Sequence, residues 1–397
     1  MQNSNKNSFN FLTHFVENRG QFPYYSKIVN SFSGEKVHEN SLSNLSSVNK
    51  VYDISDVPAY LKISTDHSEG KLKWNKINTY KGTLIVLNNY RDVNDYLTKK
   101  FSANRRSKFR TYKKRLEKSF NITYKVYCGE ITFSTYESLF DEFKKLMINR
   151  FEQKQTINKD LEQWSVYQKI GFDLILKKEA CLFVIYDGEK PISICFNIIY
   201  DKIIFAYLRA YDIDYSKFYL GFTDLIIQLQ WCFENDFEVF DMLKGDYQYK
   251  KQWTDDEYYF ERHILYLSGF SITAFSGWSK TLGLKLFYSI FHFVKRYNAH
   301  LIYRKIKQLY LATFKINNSN SSIKPEIIEN INVTPFKSTL ETIDFNKNDL
   351  SFLRKHVFDF LYTHSESIDN VQVAKTNDSS NSYFIIGTKE CRKITIK

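Results

Sequence analysis

Apolar residues recur at spacings of three and four in the stretch SANRRSKFRTYKKRLEKSF, residues 102–120. Phe109, Tyr112, Leu116 and Phe120 form one stripe, a period that predicts a helix with Ser102 or Asn104 as its cap. A second helix is predicted over about 136–151, with Leu139, Phe140, Phe143, Leu146 and Met147 on its buried face. A third, over about 159–170, is expected to stop at Gly171 as its C′ residue. The period then changes. ACLFVIYDGEKPISICFNIIYDKIIFAYLRAYD reads as three strands, and turns as short as DGEK and YDK imply antiparallel neighbours. Leu225, Ile226, Leu229 and Cys232 or Phe233 then mark a helix, with Gly221 in its first turn. The strand FEVFDML, an irregular segment and the strand YYFERHILYLS follow.

Outside this region the pattern is weaker. VYDISDV and GTLIVLNN are strand-like, and HENSLSNLSSVNK reads as a loop. A basic, aromatic helical region is expected from about 276 to 314, and NNSNSSIKPE is a linker by composition. The rest reads as a small appendix, with one helix in DLSFLRKHVFDFLYTH and strands in SYFIIGT and CRKITIK. The expected organisation has four parts: residues 1–101, 102–270, 271–316 and 331–397.

At 397 residues the chain is long for one core, so two domains or a doubled domain are expected. It holds 34 Phe and 29 Tyr but only 5 Pro and 13 Gly, which excludes fibrous and linker-like classes. Cys128, Cys181, Cys195, Cys232 and Cys391 are scattered without a CxxC, so neither a disulfide framework nor a zinc site is expected, and a reducing cytosol fits. The start MQNSNKNSFNFLTHF lacks the basic-then-apolar order of a secretory signal. No stretch has about 18 uninterrupted apolar residues, so a spanning helix is not expected. The net charge of +12 is concentrated between Lys99 and Lys118 and between Lys280 and Lys307. Such clusters suit phosphates, nucleic acid or an anionic membrane surface, or are solvated helix faces. No HExxH, GxSxG or phosphate-loop motif is present.

FDMLKGDYQYKKQW, residues 240–253, crowds Asp, Tyr and Lys directly behind a strand end. This segment, with NRRSKFRTYKKRLEK, YDGEKPISICFNI and FAYLRAYD followed by YSKFYLG, resembles the CelD/BcsL-type acetyltransferases. These are a GNAT-like family related to the FemAB aminoacyltransferases. The resemblance spans roughly residues 102–267. It implies an α/β (α+β) tandem GNAT-like fold of mixed, mostly antiparallel sheets flanked by helices. Residues 1–101 would be a divergent first half, 102–270 the catalytic half and 271–316 a helical extension. It also implies transfer of an acyl group from acetyl-CoA or another acyl-CoA to an amine or hydroxyl, often on a cell-envelope saccharide. The chain departs from the family at Leu220-Gly221, where Pro-Gly is usual, and it lacks the glycine-rich pyrophosphate loop.

Acyl transfer to an ammonium needs a proton acceptor, and a carboxylate past the strand end suits that task. Asp246 is the first candidate base; its plain reading is a turn aspartate after Gly245. Tyr249 is placed to protonate the leaving thiolate or to bind the acceptor, and Lys250 to bind an acceptor phosphate or polarise the carbonyl. The plain readings are a packing phenol and a surface amine. Asp241 is set inside a strand and needs a partner if it faces inward, with Arg209 or Lys250 as candidates; Arg209, with Asp212 close behind it, is either a substrate carboxylate or phosphate clamp or the other half of that pair. Ser216, Lys217, Gly221 and Phe222 are the expected pyrophosphate contacts at a helix start. Trp253 and His263 are expected to be packed residues. No metal is expected. An acyl-CoA-dependent acyltransferase competes with a FemAB-like enzyme using charged tRNA and with a non-catalytic scaffold on an anionic membrane. The expected location is cytoplasmic, with peripheral attachment at the inner membrane face as an alternative.

Overall fold

The computed structural model describes residues 7–17, 22, 25–34, 36–39, 50–65, 72–154, 159–245, 247–296, 325–331, 340–376 and 382–396. In chain order the strands are β1 (Ser8–Asn10), β2 (Lys27–Asn30), β3 (Lys36–Glu39), β4 (Tyr52–Pro58), β5 (Leu61–Ser64), β6 (Leu72–Val86), β7 (Ile122–Tyr127), β8 (Ala180–Asp187), β9 (Lys190–Tyr200), β10 (Ile203–Tyr211), β11 (Val239–Lys244), β12 (Asp256–Leu267), β13 (Pro325–Ile331), β14 (Leu340–Thr342), β15 (Gln372–Thr376), β16 (Ser382–Ile386) and β17 (Cys391–Ile396). The helices are α1 (Phe11–Glu17), α2 (Val93–Lys100), α3 (Ala103–Ser119), α4 (Phe133–Lys154), α5 (Trp164–Leu176), α6 (Leu220–Glu234), α7 (Gln248–Trp253), α8 (Ile272–Arg296) and α9 (Arg354–His364).

The fold is mixed α/β. The large sheet has the order β1-β4-β12-β6-β11-β10-β9-β8-β7, and smaller sheets have the orders β13-β17-β16-β15-β14 and β3-β2-β5. In the large sheet β12 runs antiparallel to β4 and β6, β11 to β6 and β7 to β8, while β1 with β4 and β10 with β11 are parallel. By contacts the chain divides into two compact units: Met1–Arg91, Ile198–Tyr207 and Cys232–Asn317 form one, and Asp92–Asn197, Leu208–Trp231 and Asn318–Lys397 the other.

In the first unit, β12 lies between β4 and β6, and β6 is 15 residues long, so it pairs with both β12 and β11. Early strands β1, β2, β3 and β5 add to the two segments the hydrophobic pattern revealed. They are three or four residues each, too short to show a period. In the second unit, α3 begins as expected: the Ser102 side chain accepts from the Arg105 amide at 3.3 Å. The three-strand meander is β8, β9 and β10, as the short turns imply. Gly171 does not end a helix. It lies inside α5, where a Cβ would come within 2.6 Å of the Tyr136 hydroxyl, so close helix packing explains the glycine. Phe358 and Leu361 of α9 share a core with Leu116, Phe120 and Phe218, so the C-terminal segment belongs to this unit's interior. Pro325, expected in a linker, starts β13. Of the helical region expected to reach residue 314, α8 supplies the part to Arg296, and the remainder lies outside the described residues.

Candidate active site

In the first unit β11 carries an irregularity with a visible cause. It pairs in parallel with β10 at three positions, Ile203 with Val239, Ile204 with Phe240 and Phe205 with Asp241. Its antiparallel register with β6 breaks between Asp241 and Lys244. There Leu243 adopts φ 58°. A left-handed backbone costs a residue with a Cβ roughly 1–2 kcal/mol, so something must hold it. Asp241 does so: its Oδ1 accepts the Leu243 amide at 2.7 Å, an aspartate bonding two residues on. Gly245 follows at φ 128°, and a Cβ there would lie 2.7 Å from the Tyr247 ring.

The other Asp241 oxygen accepts hydrogen bonds from Tyr60 at 2.7 Å and Tyr258 at 2.6 Å. The carboxyl is fully buried. Burial raises its pKa from the usual 3.8 to about 6, against the lowering pull of the two phenols, the Leu243 amide and the Lys250 charge. Burial and the Asp241 charge push both phenols well above their usual range. The Tyr60 and Tyr258 rings meet edge to face at 4.8 Å. Gly82 leaves room for Tyr258, because a Cβ there would lie 2.4 Å from its ring. A buried carboxyl that titrates near 6 can accept a proton at neutral pH, and its phenol neighbours can pass one on.

Of the two expected partners of Asp241, Lys250 acts on it through its charge, while Arg209 pairs with Asp224. The side-chain hydrogen bonds to Asp241 come from Tyr60 and Tyr258, while the Lys250 ammonium donates to the Met242 and Lys244 carbonyls at 2.5 and 2.6 Å. Lys250 is buried and clasps the bulge from its far side. Tyr249 is exposed on α7, its ring 6.0 Å from that of Tyr247. Asp246 lies outside the described residues. Trp253 is fully buried, and His263 is buried between Tyr25 and Glu261, at 2.8 Å from each.

A cavity of about 460 Å³ begins at Gly245 in the same unit. Among the described residues Lys81, Lys251, Lys295 and Arg296 line it, with Glu257 as the acid, which pairs with Lys81 at 2.5 Å. Tyr80 and Tyr259 supply aromatic wall. The excess of cations suits an anionic group.

In the second unit Arg209 binds Asp224 at 2.7 Å and also donates to the Gly221 carbonyl. It therefore ties β10 to the first turn of α6. Asp212, close behind it in sequence, takes Lys190 at 2.7 Å and Arg354 at 3.1 Å. Ser216 and Lys217 are exposed on the short 3-10 helix Ile213–Phe218. Phe222 donates its amide to the Tyr219 carbonyl, and the Arg105 guanidinium stands 5.3 Å over its ring. A cavity of about 200 Å³ lies between α3 and α6, lined by Arg106, Arg110, Lys113 and Thr223 among others. The Thr223 hydroxyl is buried and has no hydrogen-bond partner among the described residues. A basic helix face, a helix first turn and an unused hydroxyl fit a phosphate.

Sequence reasoning found Asp241, the basic face of α3 and the start of α6. It missed Tyr60, Tyr258 and Thr223. The only signal for Tyr258 was its place at the start of a strand following the motif.

With this geometry in view, residues 103–251 match the sequence model of a family described as an acetyltransferase (GNAT) domain. The matched segment contains Arg209, Asp241 and Lys250. Among solved structures, FemX is similar at 12% identity over 55% of this chain and 72% of that one, with a TM-score of 0.40. The C-terminal DUF2156 domain of a proposed lysylphosphatidylglycerol synthetase from Agrobacterium fabrum is similar at 10% identity over 54% and 67%, with a TM-score of 0.35. A conserved protein of unknown function from Bacteroides thetaiotaomicron VPI-5482 is similar at 9% identity over 55% and 70%, with a TM-score of 0.35. No curated protein matches the chain.

Proposed function

We propose that the protein is a CelD/BcsL-type acyltransferase that moves an acetyl or other acyl group from acyl-CoA to an amine or hydroxyl of an envelope saccharide or its precursor. The observation that carries this reading is the Asp241 carboxyl, buried at the bulge where the β10–β11 pairing ends, raised to about 6 and bonded by two phenols. The acceptor carries an anionic group and sits in the cavity at Gly245.

The acceptor's nitrogen or oxygen attacks the thioester carbonyl carbon. Its proton passes to the Tyr258 oxygen as Tyr258 gives its own proton to Asp241. The thioester C–S bond then breaks, and Tyr249 protonates the departing thiolate. Asp246, next to Gly245 in sequence, is the alternative base. Lys250 shapes the bulge. Residues 1–101 form a divergent GNAT-like half, and the reaction takes place in the cytoplasm.

The test measures free thiol released from acetyl-CoA in the presence of amino-sugar and hydroxyl-bearing sugar phosphates. Asp241→Asn and Asp246→Ala are compared with the native chain, and melting temperature is followed with acetyl-CoA and with free CoA. A bound donor raises the melting temperature. Loss of turnover in Asp241→Asn with unchanged melting supports the assignment, and native rates in that variant defeat it. If no acyl-CoA binds while charged tRNA does, the donor is aminoacyl-tRNA instead.

A further inference from the structure

The helix α8 has two faces of opposite character. Ala274, Gly277, Thr281 and Tyr288 are buried, and Gly277 lies so close to Tyr266 that a Cβ would come within 2.4 Å of its ring. That contact fixes the helix's rotation. The other face exposes Phe275 (67%), Trp278 (54%), Leu282 (54%), Leu286 (62%), Ile290 (54%) and Phe293 (64%). Their spacings of three and four put them on one stripe, about 27 Å long at 1.5 Å per residue. Soluble proteins rarely leave so continuous an apolar strip in water.

The charges on α8 have one sign. The helix contains Lys280, Lys285, Lys295 and Arg296 and no acidic residue. Lys280 is engaged by Asp53 at 2.6 Å. Lys285 and Arg296 each stand three residues after a stripe member, Leu282 and Phe293, and so border the stripe along one rim. At the helix start Phe270 and Ile272 are also exposed, around a mostly apolar hollow that includes Phe275 and Trp278.

We propose that α8 lies flat on an anionic lipid bilayer, with the stripe sunk among the acyl chains and Lys285 and Arg296 against lipid phosphates. A second copy of the helix would set these cations against each other, whereas a headgroup plane supplies negative charge beside an apolar layer. Among the described residues no helix is long and apolar enough to cross a membrane, so the contact is with the surface.

The test is co-sedimentation of the full chain with vesicles of phosphatidylcholine alone and of phosphatidylcholine with phosphatidylglycerol. The expected result is pelleting with the anionic vesicles and little with the neutral ones. The triple variant Leu282→Ser, Leu286→Ser, Ile290→Ser and the double variant Lys285→Glu, Arg296→Glu should each weaken binding at least tenfold, with native circular dichroism and melting. A chain that stays in the supernatant with both vesicle types overturns the proposal. So does anionic-vesicle binding that the triple variant leaves unchanged, since that contact would run through another basic surface. A concentration-dependent dimer that the triple variant abolishes, without lipid binding, assigns the stripe to self-association and also overturns it.

Discussion

Asp241 and Asp53 stand in the same unit, each nearly or wholly closed to solvent, and their surroundings treat them in opposite ways. Burial alone would raise both. At Asp53 the Arg262 guanidinium binds both oxygens at 2.6 Å and the Lys280 ammonium adds a contact at 2.6 Å, so the carboxyl ends below its ordinary value. At Asp241 the donors are neutral phenols and an amide, and burial wins. Hydrogen bonds from neutral donors satisfy a buried carboxylate but do not offset the loss of water. Asp53 is thereby committed to structure, while Asp241 is left able to change its proton within the physiological range.

The sharpest break of this contrast is Asp241→Asn. It should lower kcat/KM on the order of 10²–10⁴-fold, the usual worth of a positioned proton acceptor, without lowering the melting temperature. Asp53→Asn should do the reverse. It leaves Arg262 and Lys280 without their carboxylate and should cost about 3–5 kcal/mol in denaturant unfolding, with a much smaller effect on turnover of the folded fraction.

Stability against pH separates the two next. The folded pKa of Asp241 is raised, so its contribution is complete below about pH 4 and is lost as pH rises to about 6. The native chain should lose as much as ~3 kcal/mol over that window relative to Asp241→Asn. The folded pKa of Asp53 is depressed, so its contribution is present above the unfolded carboxylate's pKa and is lost as pH falls through the folded value. Parallel slopes for the two single variants would end the comparison.

The smallest effect is expected from Tyr60→Phe. This removes a bond that holds the Asp241 pKa down, so the acid limb of kcat/KM should move to higher pH, with about 1 kcal/mol lost in stability. An unmoved limb would assign the titration to another group.

Most elements of residues 102–267 could be read from period alone. The stripe of Phe109, Tyr112 and Leu116 belongs to α3, and the turns at DGEK and YDK made β8, β9 and β10 antiparallel candidates. Gly171 misled because a glycine that ends a helix and one that admits a neighbouring ring look alike in one dimension. The need of Asp241 for a partner was legible from its apolar neighbours, but the partners were not. Tyr60 is 181 positions away and Tyr258 is 17.

The sequence by itself determined most of the order of helices and strands between residues 102 and 267 and the basic face of α3, because these follow from local spacing and side-chain chemistry. Only the tertiary structure decided the bulge at Leu243, the two phenols on Asp241 and its raised pKa. A bulge depends on the register between β11 and β6, and desolvation sums over every group around the carboxyl. Both quantities arise from residues that meet only after the chain has folded.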